Sequence, residues 1–286
     1  MSKAKITLDH VSYTYSKGTP FEIKALDDVC LDIHDGTITG IIGHTGSGKS
    51  TMVQLFNGLN RPMSGRILLD GVDIWEKPKE IGKIRFRVGL VMQYPEYQLF
   101  EETVAADIAY GPKNMGLSED EIQRRVENSA RFVGLDPATL SKSPFDLSGG
   151  QKRRAALAGI MAMCPEVLVL DEPAAGLDPM GRDAILNGIC KYQKESGATV
   201  IIVSHSMEDM ARFCDEIVVM DHAKIRMCGD RDAIFARSDE LIDAGLDIPE
   251  ITKMIWLLRS KGIDVDRSIY TVDRAEQELL RLFDLT

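Results

Sequence analysis

An α/β fold with a buried, mainly parallel core sheet is predicted for this 286-residue chain by three observations. Four compact apolar runs, at residues 38–42, 88–92, 167–170 and 199–203, are unbroken rather than alternating, as strands covered by helices on both faces must be. Each run ends in polar residues: a glycine-rich loop, then Gln93, Asp171-Glu172 and Ser204-His205. The long segments between the later runs carry helical periodicity. Ligands of open α/β sheets sit at the carboxyl ends of strands, so these four ends are expected to converge on one site.

Taken in chain order, residues 6–15 and 66–70 alternate imperfectly and predict a short antiparallel sheet beside the core. Gly43-His44-Thr45-Gly46-Ser47-Gly48-Lys49-Ser50-Thr51 follows the first buried run as G-x-x-x-x-G-K-S, in the strand, loop and helix context of a phosphate-binding loop. Its glycines let backbone N–H groups turn inward at phosphate oxygens, and a helix opening near Ser47 adds its positive end. Lys49 can reach the β- and γ-phosphates, and Ser50 can offer its hydroxyl to Mg²⁺. The chain is therefore expected to bind a nucleoside triphosphate.

Between Gln93 and Pro165 the pattern turns helical, predicting an insertion over about residues 94–165. Ser118-Glu119-Asp120-Glu121 reads as a capping box, followed by an apolar face at Ile122, Val126 and Val133 and a stop near Gly134. Within the insertion, Leu147-Ser148-Gly149-Gly150-Gln151 puts a hydroxyl and free backbone N–H groups at a second helix start. One nucleotide needs one cradle, so the second suggests a nucleotide held by another subunit. Val167-Leu168-Val169-Leu170-Asp171-Glu172 has the form of a Walker B strand: Asp171 for Mg²⁺, Glu172 to polarise the attacking water. Beyond residue 230 the chain reads as helical again, punctuated at Gly245, Pro249 and Gly262.

Composition narrows the partners. Hydrophobic residues make up 44%, charged residues 27%, and the net charge is −10. The longest basic run, Lys152-Arg153-Arg154, reads as a solvated helix face, so nucleic acid is a poor partner. Five cysteines stand far apart without metal-ligand spacing and read as reduced, mostly buried thiols. No signal peptide is visible, and no apolar stretch approaches the roughly 20 residues that cross a bilayer. Such a chain is no channel itself, but it can dock onto one.

The phosphate loop, LSGGQ, the Walker B strand with its following Glu172, Gly176-Leu177-Asp178 and His205 occur in the order and spacing of ATP-binding-cassette ATPases, which the chain resembles over about residues 5–230. The resemblance implies the family fold: a mixed, mainly parallel core sheet, an N-terminal antiparallel subdomain, a helical insertion and here a C-terminal helical extension. It divides the chain into a nucleotide-binding domain, 1–230, and a helical dimerisation extension, 231–286. It makes Tyr15 the aromatic that stacks on adenine, with Tyr13 as a competing choice. Gln93 becomes the residue contacting Mg²⁺ and the lytic water, Asp178 the acid coupling two sites across a dimer, and His205 the histidine contacting the γ-phosphate. Two cassettes then close head to tail, each ATP between one phosphate loop and the opposite Ser148-Gly149-Gly150-Gln151.

Residues 93–104 and 107–114, the Lys152-Arg153-Arg154 continuation and residues 244–253 are similar to energy-coupling-factor importers, in the second of their two ATPase subunits. This implies a heterodimer with a second ATPase, a transmembrane coupling subunit, a substrate-capture membrane subunit, and a peripheral position on the cytoplasmic face of the cell membrane. The cargo would be a vitamin or transition-metal ion taken up by the membrane subunits. Leu99 and Phe100 are read either as exposed anchors for the coupling subunit or as buried under the insertion. Ala174 departs from the usual D-E-P-T. Rival readings are a homodimeric ATPase of another importer, a soluble cassette in repair or translation, and a small-molecule kinase, in which LSGGQ has no task.

Overall fold

The computed structural model describes residues 3–283. One sheet is antiparallel, in the order β2-β1-β4-β5, from β1 (Ala4–Tyr15), β2 (Ile23–His34), β4 (Ser64–Leu69) and β5 (Val72–Asp73). The core sheet has the order β10-β9-β3-β8-β7-β6, from β3 (Ile38–Gly43), β6 (Val88–Val91), β7 (Val167–Asp171), β8 (Thr199–Val203), β9 (Glu216–Asp221) and β10 (Lys224–Asp230). Its strands β9, β3, β8, β7 and β6 run parallel, and β10 folds back antiparallel on β9.

The expected α/β architecture is present, with two differences. The antiparallel sheet is not short: β1 and β2 run 12 residues each, and repeated register shifts between them explain why their alternation is imperfect. The parallel sheet also holds a fifth strand, β9, whose apolar run Ile217-Val218-Val219-Met220 lies past the four runs read as strands.

Burial on both sheet faces is visible residue by residue. Val167 and Val169 face a core shared with the antiparallel sheet and with α1 (Lys49–Phe56), through Leu8, Leu26, Met52 and Phe56. Their neighbours Leu168 and Leu170 point the other way, into a core shared with the helical insertion, because successive strand residues alternate sides. Each such fully buried side chain contributes roughly 1.5–3 kcal/mol relative to exposure.

The insertion follows α2 (Ile81–Arg87) and comprises α3 (Val104–Asn114), α4 (Glu119–Phe132) and α5 (Gly149–Met161). Ile122, Val126 and Val133 are buried as predicted, and Gly134 ends α4 at φ 67°. The capping box at Ser118 is incomplete. Ser118 Oγ accepts from the Glu121 N–H at 3.4 Å, but the Glu121 carboxylate is drawn onto Arg124 and Arg125 instead.

After β7 come α6 (Pro179–Ser196) and α7 (Met207–Phe213), then α8 (Arg231–Phe235), α9 (Ser238–Asp243), α10 (Glu250–Ser260) and α11 (Val272–Leu282). Gly245 and Gly262 turn the chain at positive φ, and Pro249 caps α10. Phe235, Leu241, Ile248 and Tyr270 join the same core as Leu168 and Leu170, where Phe235 stacks on Tyr270 at 5.0 Å; among the described residues, Ile255, Val265, Ile269 and Ala275 form a separate cluster. The thiols are less buried than expected: Cys214 is buried and Cys190 half-buried, while Cys30, Cys164 and Cys228 are exposed on a strand, a turn and an edge.

Candidate functional site

At the carboxyl ends of β3, β7 and β8 lies a cleft of about 420 Å³ lined by Thr45, Gly46, Gly48, Lys49, Ser50 and Thr51, by Gln93, Asp171, Glu172 and His205, and by Tyr15. The four strand ends thus meet in one place. Ile23, Ala25 and Val203 complete the wall; ordinary apolar residues, they carry no signal in sequence.

The loop's shape demands its glycines. A Cβ on Gly48, at φ 105°, would sit 2.2 Å from the Ala25 carbonyl oxygen, and one on Gly43 would sit 2.4 Å from that of Met220. Lys49 is buried and donates to the Gly43 and His44 carbonyls at 2.7 and 3.0 Å. Burial lowers its pKa, against the opposing pull of Glu172 and Asp171. An ammonium held only by neutral carbonyls has much to gain from an anion.

Two buried oxygens in this region lack any hydrogen-bond partner, Ser47 Oγ and Glu172 Oε1. Glu172 stands at φ 53°, a left-handed backbone unusual for a residue with a side chain, held by its N–H donating to the Val203 carbonyl at 3.0 Å. Burial first, and the Asp171 charge second, push its pKa up to about 7. Burial also raises that of Asp171, and the Ser50 hydroxyl beside it opposes the rise. His205 Nε2 lies 3.4 Å from Glu172 Oε1, and burial together with Lys49 lowers its pKa, favouring a neutral imidazole. A carboxyl poised near neutrality, a lysine aimed at anions and oxygen donors side by side suit water-mediated phosphoryl chemistry.

Tyr15 lies at the cleft mouth with its hydroxyl 3.1 Å from Thr51 Oγ1, whereas Tyr13, edge-on to it at 4.9 Å, packs into the core. The His44 ring turns away from the cleft to Asp221, at 2.9 Å, which leaves only its backbone to the loop. Gly43 and Ser47 also lie outside the lining, Gly43 as the strand end and Ser47 as a buried loop residue.

Ser148, Gly149, Gly150, Gln151 and Asp178 do not line the cleft. Ser148 caps α5 in a reciprocal capping box: its N–H donates to Gln151 Oε1 at 3.1 Å, and its Oγ accepts from the Gln151 N–H at 3.4 Å. Asp178 caps α6, accepting from the Gly181 N–H at 2.6 Å. One step along α5, Arg153 overturns the solvated-face reading of its basic run. It is buried, forks onto Glu96 at 2.8 and 3.1 Å, and donates to the Ala175 carbonyl. It therefore ties the LSGGQ helix both to the segment after Gln93 and to the loop after Glu172, a role that sequence spacing does not reveal.

Residues 26–175 match the family described as ABC transporter. Over 280 residues the chain is 52% identical to the energy-coupling factor transporter ATP-binding protein EcfA2 of Clostridium acetobutylicum, covering 98% of each chain. It is 50% identical to the protein of that name from Clostridium tetani over 280 residues, 98% of this chain and 97% of that one. Among solved structures, cbiO1 of Clostridium perfringens, described as part of the ABC transporter complex cbiONQ, superposes with a TM-score of 0.76 at 38% identity, over 89% of this chain and 99% of its own. The cassette MJ0796, solved as a dimer bound to ADP and Pi, gives 0.72 at 27% identity, over 79% and 98%.

Proposed function

The chain belongs to the ABC transporter family, among the energy-coupling-factor transporter ATP-binding proteins, and from that premise we propose how its residues divide the work of ATP hydrolysis. ATP enters the cleft with its adenine against Tyr15. Lys49 exchanges the Gly43 and His44 carbonyls for β- and γ-phosphate oxygens. Ser50, Gln93 and Asp171 would hold Mg²⁺, for which they supply the oxygen donors a hard cation prefers. Bound there, the ion would neutralise charge on the phosphate oxygens. Glu172 accepts the proton of the attacking water, and neutral His205 donates its N–H toward the γ-phosphate.

The observation that carries this reading is the split of the machinery. The cleft holds a lysine and a carboxyl ready for the triphosphate, while the second cradle at Ser148 lies outside it on the same chain. A second, non-identical ATPase therefore presents its own LSGGQ to this cleft, and this chain's Ser148 serves the partner's nucleotide. Binding energy available only when both cradles touch the triphosphate drives closure.

Closure reaches a transmembrane coupling subunit through the groove of about 250 Å³ beside the segment after Gln93, lined by Leu99, Phe100, Tyr110, Ile160 and Met163. Leu99 packs against the core there and Phe100 is exposed, edge-on to Tyr110, so the pair divides between the two uses expected of it. No helix among the described residues is long and apolar enough to cross a membrane, in keeping with a peripheral subunit on the cytoplasmic face. A separate membrane subunit captures the vitamin or metal ion. Affinity purification from solubilised membranes tests the assembly. Recovery of a second cassette together with an integral membrane protein supports it, and recovery of this chain only as a homodimer overturns the heterodimer.

A further inference from the structure

His44, the loop residue turned away from the cleft, meets the hairpin that joins β9 to β10. Its Nε2 lies 2.9 Å from Asp221 Oδ1, and His222 Nδ1 lies 2.6 Å from the same oxygen. All three ligand atoms fall within 4.8 Å of one another. The two-residue turn, with His222 at φ 45° and Ala223 at φ 65°, swings the His222 ring back over the carboxylate, and the two imidazoles meet at 5.3 Å between centroids.

Proton placement at His44 is the informative detail. Its Nδ1 lies 3.0 Å from the Thr45 carbonyl oxygen, which can only accept, so in the neutral ring the proton is on Nδ1. The Nε2 lone pair then faces the Asp221 carboxylate, acceptor against acceptor, unless a positive charge stands between them. A backbone carbonyl fixing one imidazole nitrogen while the other is free is the arrangement of a metal-ligating histidine. Arg226 Nη1 holds the far carboxylate oxygen, Asp221 Oδ2, at 3.2 Å and leaves Oδ1 for the ion.

We propose that His44, Asp221 and His222 form a site for a divalent transition-metal ion of the zinc or cobalt type, which fastens the phosphate loop to the β9–β10 turn. Two imidazole nitrogens and one carboxylate oxygen are the ligand set such ions take, with water completing the tetrahedron. Bonds near 2.1 Å at the tetrahedral angle need ligand atoms about 3.4 Å apart, so on binding the 2.6 and 2.9 Å separations here would open by about 0.8 and 0.5 Å. His222 is exposed, so an ion reaches the site from solvent. The site uses none of the side chains that line the cleft and stands independently of the hydrolytic reading.

The test is titration of the nucleotide-free full-length chain, under a non-thiol reductant, with Co²⁺ and then competing Zn²⁺. One equivalent should bind with tetrahedral d–d absorption and without a thiolate charge-transfer band, which excludes the exposed Cys30, Cys164 and Cys228. His222→Gly suits the left-handed turn and should weaken binding at least about tenfold. His44→Asn should do the same. Absence of saturable binding, a thiolate band, or an unchanged affinity in His222→Gly would each overturn the proposal and leave His44 as an imidazolium that donates to both Thr45 and Asp221.

Discussion

The cleft around Lys49 and the helix start at Ser148 are both anion cradles built on a helix N-terminus, yet they are finished to different degrees. At the cleft, a lysine makes do with carbonyls, Glu172 carries an unpartnered oxygen and a left-handed backbone, and its carboxyl titrates near neutrality. At Ser148 a reciprocal capping box already satisfies the turn, and the glycines after it carry no strain. The first region is stressed when alone, a strain that a ligand would relieve; the second is content when alone and, in the proposed dimer, adds its free N–H groups when another chain brings a phosphate to it. Under the proposed division, chemistry belongs to the stressed region and selectivity for the closed state to the relaxed one.

The hardest blow to that contrast is Glu172→Gln. It should slow single-turnover phosphate release by about 10²–10⁴-fold while nucleotide affinity, followed by fluorescence, stays near wild type. Unimpaired release would place the base elsewhere. Arg153→Ala comes next, because it strands Glu96 and cuts the tie between the two regions; denaturant unfolding should report a loss of about 3–5 kcal/mol. Lys49→Ala should weaken ATP binding by about 1.5–3 kcal/mol in calorimetry, the value of a charge-assisted bond, with little change in stability. Ser148→Ala should cost only about 1 kcal/mol of stability through the lost cap, and in a dimer carrying it on one chain the affected nucleotide should be the partner's. Damage confined to its own cleft would end the head-to-tail arrangement.

A further effect concerns pH. In the unfolded chain Glu172 titrates near its ordinary 4.5, in the fold near 7. Below 4.5 the carboxyl is protonated in both states and costs nothing; as pH rises toward and past 7 the unfolded chain gives up that proton more readily, so the fold is penalised. Melting curves should therefore show Glu172→Gln matching wild type at the acid end and gaining on it as pH climbs through this window. A constant difference would mean that the carboxyl is not strained by its surroundings.

Legibility followed the same division. The phosphate loop, Gln93, Asp171-Glu172 and His205 could be read in order because each occupies a strand end, where backbone geometry restricts the residue type that works. Arg153 could not, since Glu96 and Ala175 come from segments that only the fold brings to it. The outward turn of the His44 ring could not be read, because the loop pattern specifies backbone and leaves the intervening side chains free to point elsewhere. The capping box was assigned to Ser118 although Arg124 and Arg125 claim Glu121, while the Ser148 helix, whose Gln151 has no such competitor, completes one. Strand β9 went unread although its four apolar residues run into Asp221 and His222, an ending as polar as those that marked the other strands.

Phe235 and Tyr270 stack beside α7 as part of the main core, with Asp232 and Arg231 bonded to the Tyr270 hydroxyl. The tail is thus a keystone rather than an appendage. A protease that nicked the stretch between β10 and α8 would not release a tidy shorter enzyme, but would pull an aromatic plug from under α7 and leave a sticky hole. Recombination should therefore exchange tail and cassette together, since either half transplanted alone inherits a socket without its plug.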